Sequence, residues 1–276
     1  MTQTGGPSDI VQRHAEIESG RLPEMLGVSI VERIHIERYR FAATVLRDGA
    51  VLDIASGIGY GTNMLSQEAR VAHITGVDVS PEAIAKAKGS YSSAKLTFQL
   101  VDGKRLPFDD GSFDTVVSFE TVEHTADRPA FLSELRRVLR DDGKLIISTP
   151  NKRYHSFGKP NPWNPFHTVE YYPEEFLALL KGTFRSVEFW GGQEFLDNNL
   201  KDLLRYNWTE FRYYNFDHHP VLAPLAEHLK QWKRAVAGPS RSSQAPPDPA
   251  SVYRRAAVVP WVEGREPFTM VAVCAK

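Results

Sequence analysis

The sequence predicts an α/β fold built on a doubly wound parallel sheet. Two observations predict it. From Val51 to about Trp190, apolar runs rich in β-branched residues alternate with segments of helical periodicity. Two of those runs are nearly continuously apolar, as strands covered on both faces must be. The chain has 276 residues, 42% hydrophobic and 24% charged, the mix of an ordinary globular protein with a sizeable core.

The expected strands are Val51–Ile54, His73–Val77, Lys95–Leu100, Asp114–Phe119 and Lys144–Ser148. Between them, Ser80-Pro81-Glu82 supplies a cap, a first-turn proline and an acid ahead of Ala83-Ile84-Ala85. Asp127 precedes Pro129, and Phe131, Leu135, Val138 and Leu139 then follow helical spacing, with Gly143 expected just past the end. Pro173-Glu174-Glu175 opens a further helix with Phe176, Leu179 and Leu180 on one face. Before the first strand, 1–47 reads as a helical cover, with helices over Asp9–Glu18 and Ile34–Leu46. The long connection 151–172 is rich in Pro, Asn and aromatics, a composition more often functional than idle. A last strand, Phe268–Val273, returns the chain to the sheet.

Charge and cysteine usage exclude several classes. Lys+Arg totals 33 against 34 for Asp+Glu, a net charge of −1. A near-neutral chain has no footprint for nonspecific nucleic-acid or anionic-membrane binding, and no stretch is long and apolar enough to span a bilayer. The single cysteine, Cys274, excludes an intrachain disulfide framework and a cysteine zinc site. Residues 1–18 are polar, with no apolar run behind a basic start, so the expected location is cytoplasmic.

The strongest chemical signal is the run Asp53-Ile54-Ala55-Ser56-Gly57-Ile58-Gly59-Tyr60-Gly61. A strand ends in an acid and turns through glycines into a helix; Gly57 and Gly59 let the backbone turn tightly and approach a ligand with no Cβ in the way. Asp78-Val79 ends the next strand, where a carboxylate can accept from both ribose hydroxyls of a nucleoside. Asp102-Gly103 ends the third, where a carboxylate can accept from an adenine amino group. Glycines alone are compatible with a plain β–α turn. With acids at the two following strand ends they point to a nucleoside-containing cofactor. The Gly-x-Gly-x-Gly spacing is not the Gly-x-Gly-x-x-Gly of pyrophosphate-binding dinucleotide sites.

These residues, with Leu106-Pro107-Phe108-Asp109-x-x-Ser112-Phe113-Asp114 and the stretch Phe131–Pro150, resemble the class I S-adenosylmethionine (SAM) dependent methyltransferases. The resemblance covers 50 to about 190 and implies a Rossmann-like, seven-stranded sheet with an antiparallel last strand. It implies that Gly57 and Gly59 pass the methionine part of SAM, with Ala55 and Ser56 in the same turn. Asp53 would lie beneath it, Asp78 and Val79 at the ribose, Asp102 and Gly103 at the adenine, and Phe119 beside the methionine end. Ser56 departs from the Cys or Gly of many members, a small-for-small exchange.

Past the fourth strand, Glu120-Thr121-Val122-Glu123-His124 resembles the Glu-x-x-Glu-His of ubiquinone-biosynthesis-type O-methyltransferases, which implies a divalent cation, magnesium or manganese, on Glu120, Glu123 and His124. The alternative is a solvated loop that shapes the pocket. Asn164-Pro165-Phe166-His167 resembles a run in methyltransferases of sugars and other natural products, and on the same edge His167 can serve as general base. A loop histidine fixing local structure is the alternative; His124 is the rival base if no metal binds. Tyr39 and Arg38 precede the first strand within reach of the methionine carboxylate, although a solvated helix face is the favoured reading for the arginine.

The expected organisation is a helical cover (1–47), a SAM-binding core (48–192), a cap insertion (193–267) with a disordered stretch at 238–249, and a final core strand (268–276). Aromatics from Trp208 to His219 read as the core of that cap or the lining of an acceptor pocket. The expected activity is methyl transfer from SAM to a hydroxyl of a sugar, glycoside or other secondary metabolite. N- or C-methylation of a small molecule, and a non-catalytic SAM-binding module, are the alternatives. The expected partners are a small-molecule acceptor and a second copy of the chain in a homodimer, with neither nucleic acid nor membrane.

Overall fold

The computed structural model describes residues 30–156, 158–162, 164–192, 258–261, 267 and 269–276. The helix expected over 9–18, the aromatic segment 208–219 and the stretch 238–249 lie outside the described residues. In chain order the elements are α1 (Ile30–Val45), β1 (Gly49–Ile54), α2 (Tyr60–Ser66), β2 (Val71–Asp78), α3 (Pro81–Ser90), β3 (Leu96–Leu100) and β4 (Phe113–Phe119). They continue with a 3-10 turn (Val122–His124), α4 (Arg128–Val138), β5 (Leu139–Pro150), α5 (Lys152–His155), α6 (Pro173–Lys181), β6 (Ser186–Gly192), β7 (Val258–Pro260) and β8 (Thr269–Ala275).

The sheet runs β3-β2-β1-β4-β5-β8-β6-β7. Strands β1 to β5 pair in parallel, and β8 enters antiparallel between β5 and β6. This is the expected seven-stranded arrangement with a reversed last strand. One short strand was not expected: β7, from within 193–267, pairs antiparallel with β6 at the sheet edge.

Both faces of the sheet are covered, and strand alternation assigns side chains to each. Leu52, Ile54, Val116, Leu145 and Ile147 pack on one face with Leu132 and Leu135 of α4 and Phe176 and Leu180 of α6. Val51, Val117 and Ile146 point the other way, against Tyr39 and Ala42 of α1 and Leu65 of α2. Every residue of β4 is buried, so its apolar run needs no alternation.

The helix starts read from sequence hold. Ser80 Oγ accepts from the Ala83 amide at 3.1 Å and Asp127 Oδ1 from the Ala130 amide at 3.0 Å. The end of α4 differs: the helix stops at Val138, and Leu139 already pairs with Phe113 as the start of β5. Gly143 therefore lies within β5, where a Cβ would come 2.9 Å from the Arg140 carbonyl oxygen. Leu139 is buried in either state, so periodicity could not separate the two.

The loop ahead of β4 is tied down by arginines of α4 and β5. Arg137 donates to Glu134, Asp110 and the Leu106 and Phe108 carbonyls. Arg140 Nη1 donates to both oxygens of Asp114, at 2.8 and 3.0 Å, and Asp114 also accepts from the Ala50 amide. The Leu-Pro-Phe-Asp…Asp114 run is thus held by structural contacts: Leu106 and Phe108 bond to α4, and Asp114 ties the start of β4 to β1.

Candidate active site

The carboxyl ends of β1, β2, β4 and β5 converge on one edge of the sheet, where ligands of such folds bind. Among the described residues, the two non-glycine residues with left-handed backbone stand on this edge: Ala55 (φ 55°) after β1 and Glu120 (φ 48°) after β4. Strain of this kind concentrates at functional sites.

In the β1–α2 turn, Gly57 (φ 55°) has nothing within 4 Å of where a Cβ would be, so the space above it is open to a ligand. Its amide donates to Asp78 Oδ2 at 2.8 Å, while the Ser80 amide donates to Oδ1 at 2.9 Å. The strand-end acid is thereby held against the glycine turn. Gly59 (φ 88°) is closed in by Phe98 and Ala87. Gly61 has a different reason. Its Cβ would lie 2.0 Å from Cζ of Tyr39, so the third glycine makes room for α1.

Asp53 is fully buried beneath the turn and accepts from Thr62 Oγ1 at 2.7 Å and from the Tyr39 hydroxyl at 3.2 Å. Burial raises its pKa to about 7, against the two donors, which lower it. Tyr39 stacks edge-on against Tyr60 and Phe119. At the end of β3, Asp102 is exposed and caps the Lys104 amide, and a Cβ on Gly103 would touch Val79 at 3.1 Å. Val79 itself is 62% exposed, an apolar surface beside the acid.

Arg38 overturns the sequence reading. It is 2% exposed, not solvated, because α1 lays it over the Phe119 ring at 5.9 Å. Its Nη1 lies 3.4 Å from Glu120 Oε1, whereas Nε and Nη2 are buried with no partner. Ser56 Oγ is likewise buried and unbonded. An orphaned guanidinium fork and an open glycine turn fit the charged end of an amino-acid ligand such as the methionine part of SAM.

The second half of the site lies past β4 and β5. Glu123 is fully buried; its Oε2 accepts from Thr149 at 2.9 Å and its Oε1 has no partner. Burial, then the charge of Glu120, hold its pKa well above the usual carboxylate range. His124 is exposed, and its Nδ1 lies 2.9 Å from the Phe166 carbonyl, so that nitrogen carries the proton. The desolvation of its partly covered ring, then His167, lower its pKa. The Asn164-Pro165-Phe166-His167 run is a turn that Asn164 closes by accepting from the Phe166 amide at 2.9 Å. Thr168 pins it to the 3-10 turn by donating from its amide to the Glu123 carbonyl at 2.8 Å. The His124 and His167 rings meet edge-on, 4.8 Å between centroids.

The expected cation set does not come together as read. Glu120 turns to Arg38 and accepts from Ser148 Oγ at 2.7 Å, and it falls outside the grouping of ligand atoms. Among the described residues two groups form, Glu123 with His124 and His167, and His155 with His167 and Glu170, each with its ligand atoms within 4.8 Å of one another. Sequence reasoning also missed Glu170 and His155. Glu170, 2% exposed, faces His167 Nδ1 at 2.9 Å and His155 Nδ1 at 3.6 Å, and accepts from Ser156. Burial works to raise its pKa, but the donors around it bring it to about 2. The only sequence signal for Glu170 was its place three residues after His167.

A five-strand parallel run closed by an antiparallel insertion, with a glycine turn and acids at its carboxyl edge, is a Rossmann-like α/β architecture. Comparison with known proteins narrows this. The family described as "Methyltransferase domain" matches residues 52–147. A probable S-adenosylmethionine-dependent methyltransferase of Mycobacterium tuberculosis is 37% identical over 130 residues, covering 47% of this chain and 46% of the relative. The ubiquinone/menaquinone biosynthesis C-methyltransferase UbiE of Citrifermentans bemidjiense is 38% identical over 165 residues, 51% of this chain and 70% of that protein. A solved Thermotoga maritima SAM-dependent methyltransferase, described as a possible histamine N-methyltransferase, shares the fold with a TM-score of 0.57 at 16% identity, covering 97% of this chain and 98% of the other. The chain belongs to the class I SAM-dependent methyltransferases. It spans about half the length of the mycobacterial relatives it matches.

Proposed function

We propose that this chain transfers the methyl group of SAM to a hydroxyl of a small molecule, a sugar, glycoside or other secondary metabolite. SAM supplies an activated methyl, so the protein's work is placement and deprotonation of the acceptor. The open Gly57 turn, Ala55 and Ser56 would pass the methionine part over Asp53, with Phe119 beside it and Arg38 at its carboxylate. Asp78 and Val79 would take the ribose, and Asp102 and Gly103 the adenine.

The observation that carries the acceptor half is the pair of histidine rings, 4.8 Å apart, on the same edge as the glycine turn. In the reaction the acceptor oxygen forms a bond to the methyl carbon as the carbon–sulfur bond breaks. Its electron pair passes to sulfur, giving S-adenosylhomocysteine, and the hydroxyl proton goes to His167. His124 is the second candidate for that proton. A divalent cation, where one binds, would be held by Glu123, His124 and His167 and would polarise the hydroxyl.

A carbon acceptor is the second reading, favoured by the UbiE relative being a C-methyltransferase. Incubation with SAM carrying a deuterated methyl and a panel of sugars, glycosides, phenols and quinols separates them. A labelled methyl on oxygen in the product's NMR spectrum supports the proposal, and a methyl on carbon replaces it with the second reading. No labelled product from any acceptor, with protein that binds SAM, favours a non-catalytic SAM-binding module.

A further inference from the structure

We propose that Glu170 is a positioning residue that locks His167 in the tautomer protonated at Nδ1, leaving the lone pair on Nε2 to receive the acceptor's proton. This rests on the reading of His167 as the base. An ionised carboxylate only accepts, so the 2.9 Å contact between His167 Nδ1 and Glu170 Oε1 requires the proton on Nδ1. Glu170 cannot swing away: it is 2% exposed, its other oxygen accepts from Ser156, and His155 stands 3.6 Å from Oε1. The groups facing the His167 ring are Glu170, His155, His124 and Glu123, and among them Glu170 alone is bonded to its Nδ1. In free solution an imidazole exchanges between tautomers, so a base that needs Nε2 unprotonated gains from a fixed Nδ1 partner.

The backbone supports the same role. Lys152 donates its amide to the Tyr171 carbonyl at 2.8 Å, which brings Ser156 and His155, just after β5, against the Glu170 end of the connection. Asn151 holds this crossing from beneath, donating to the Pro267 carbonyl at 2.8 Å and accepting from the Arg153 amide. The long connection after β5 thus folds back on itself around one carboxylate.

The test is Glu170→Gln in the full chain. Ser156 donates to Oε2, so the glutamine oxygen takes that place and its amide nitrogen meets His167 Nδ1. A donor there favours the opposite tautomer, with the proton on Nε2. In protein labelled with 15N-histidine, with His167 assigned by its loss in His167→Gln, NMR should show the ring proton move from Nδ1 to Nε2. The turnover number should fall on the order of 10³-fold or more, with KM unchanged. Glu170→Asp, which still only accepts, should keep the parental tautomer and recover part of the rate. A parental tautomer in folded Glu170→Gln, or an Nε2-protonated ring in Glu170→Asp, overturns the inference. If His167→Ala turns over at the parental rate, the base reading fails instead, and the NMR result still decides what Glu170 does.

Discussion

Arg38 and Glu120 form a half-made ion pair: Nη1 lies 3.4 Å from Oε1, while the other two guanidinium nitrogens are buried and unbonded. A buried donor without an acceptor costs about 1–3 kcal/mol. On the proposed reading, the acceptor for these donors is the methionine carboxylate of SAM. Arg38→Met keeps the length and helix propensity of the side chain and removes the orphans. It should leave the thermal midpoint of the ligand-free protein unchanged or a few degrees higher, on the order of 2–4 °C per kcal/mol. Calorimetry should show binding of S-adenosylhomocysteine weakened about 10- to 100-fold, a loss of roughly 1.4–2.8 kcal/mol. Parental affinity in the variant would remove Arg38 from the cofactor site.

Gly61 and Tyr39 are coupled by contact. A Cβ at Gly61 would sit 2.0 Å from the Tyr39 ring, which α1 holds against Phe119 and over Asp53. Gly61→Ala should therefore push Tyr39 out and cost roughly 1–3 kcal/mol in denaturant unfolding, although alanine favours the helix. In a Tyr39→Ala background the same substitution should be neutral or stabilising, giving a coupling energy above about 0.5 kcal/mol. Equal costs in both backgrounds would show that Gly61 serves something other than Tyr39.

This pair also marks what the sequence can and cannot say. The strands, the glycine turn and the acids at strand ends were legible because each is local: an apolar run, a φ that needs glycine, a cap three residues from its amide. The antiparallel β8 was legible only through resemblance. Arg38 was not, since nothing in its neighbours distinguishes a solvated arginine from one laid over the ring of Phe119, 81 residues away in the chain. Glu170 was hidden for a related reason. Its partners His155, Ser156 and His167 belong to a connection without periodicity, and only the Asn151–Tyr171 crossing assembles them. Glu120 and Glu123 looked alike in sequence; a left-handed backbone at Glu120 sends one toward Arg38 and leaves the other buried.

Asp53 predicts a pH dependence with a definite sign. Burial raises its pKa from 3.8 to about 7, so between those values the folded protein holds a proton that the unfolded chain has released. Stability from this group is fully present below about pH 4 and is lost as pH rises to 7. SAM is cationic at sulfur, and a cation above Asp53 favours the ionised carboxylate. SAM affinity should therefore rise by up to about tenfold between pH 6 and 8, with proton release on binding near pH 6. Asp53→Asn should flatten this profile and weaken binding throughout. Calorimetry in buffers of different ionisation enthalpy reads the proton directly, and no release at pH 6 would refute the assignment.

Two roles for the histidine group, base or cation ligand, predict different losses. As a base, His167 needs Glu170 but neither Glu123 nor a cation: His167→Ala should slow transfer by roughly 10²- to 10⁴-fold with SAM binding intact. On that reading Glu123 only fills its buried position, with Thr149 donating to one oxygen, so the isosteric Glu123→Gln should keep most of the rate, and chelation should change nothing. As a cation site, the three ligands fail together. Glu123→Gln, His124→Ala and His167→Ala should then lose comparable activity, and chelation should remove activity that manganese or zinc restores. A direct readout needs no acceptor: calorimetric titration of chelated protein with manganese, against the same titration of Glu123→Gln. Because Glu123 has one buried, unpartnered oxygen and a carboxylate oxygen within 4.8 Å of ring nitrogens of His124 and His167, heat in the parent and none in the variant would make the cation the polarising group. No heat in either leaves the proton to His167, and the rate of His167→Ala then decides the mechanism.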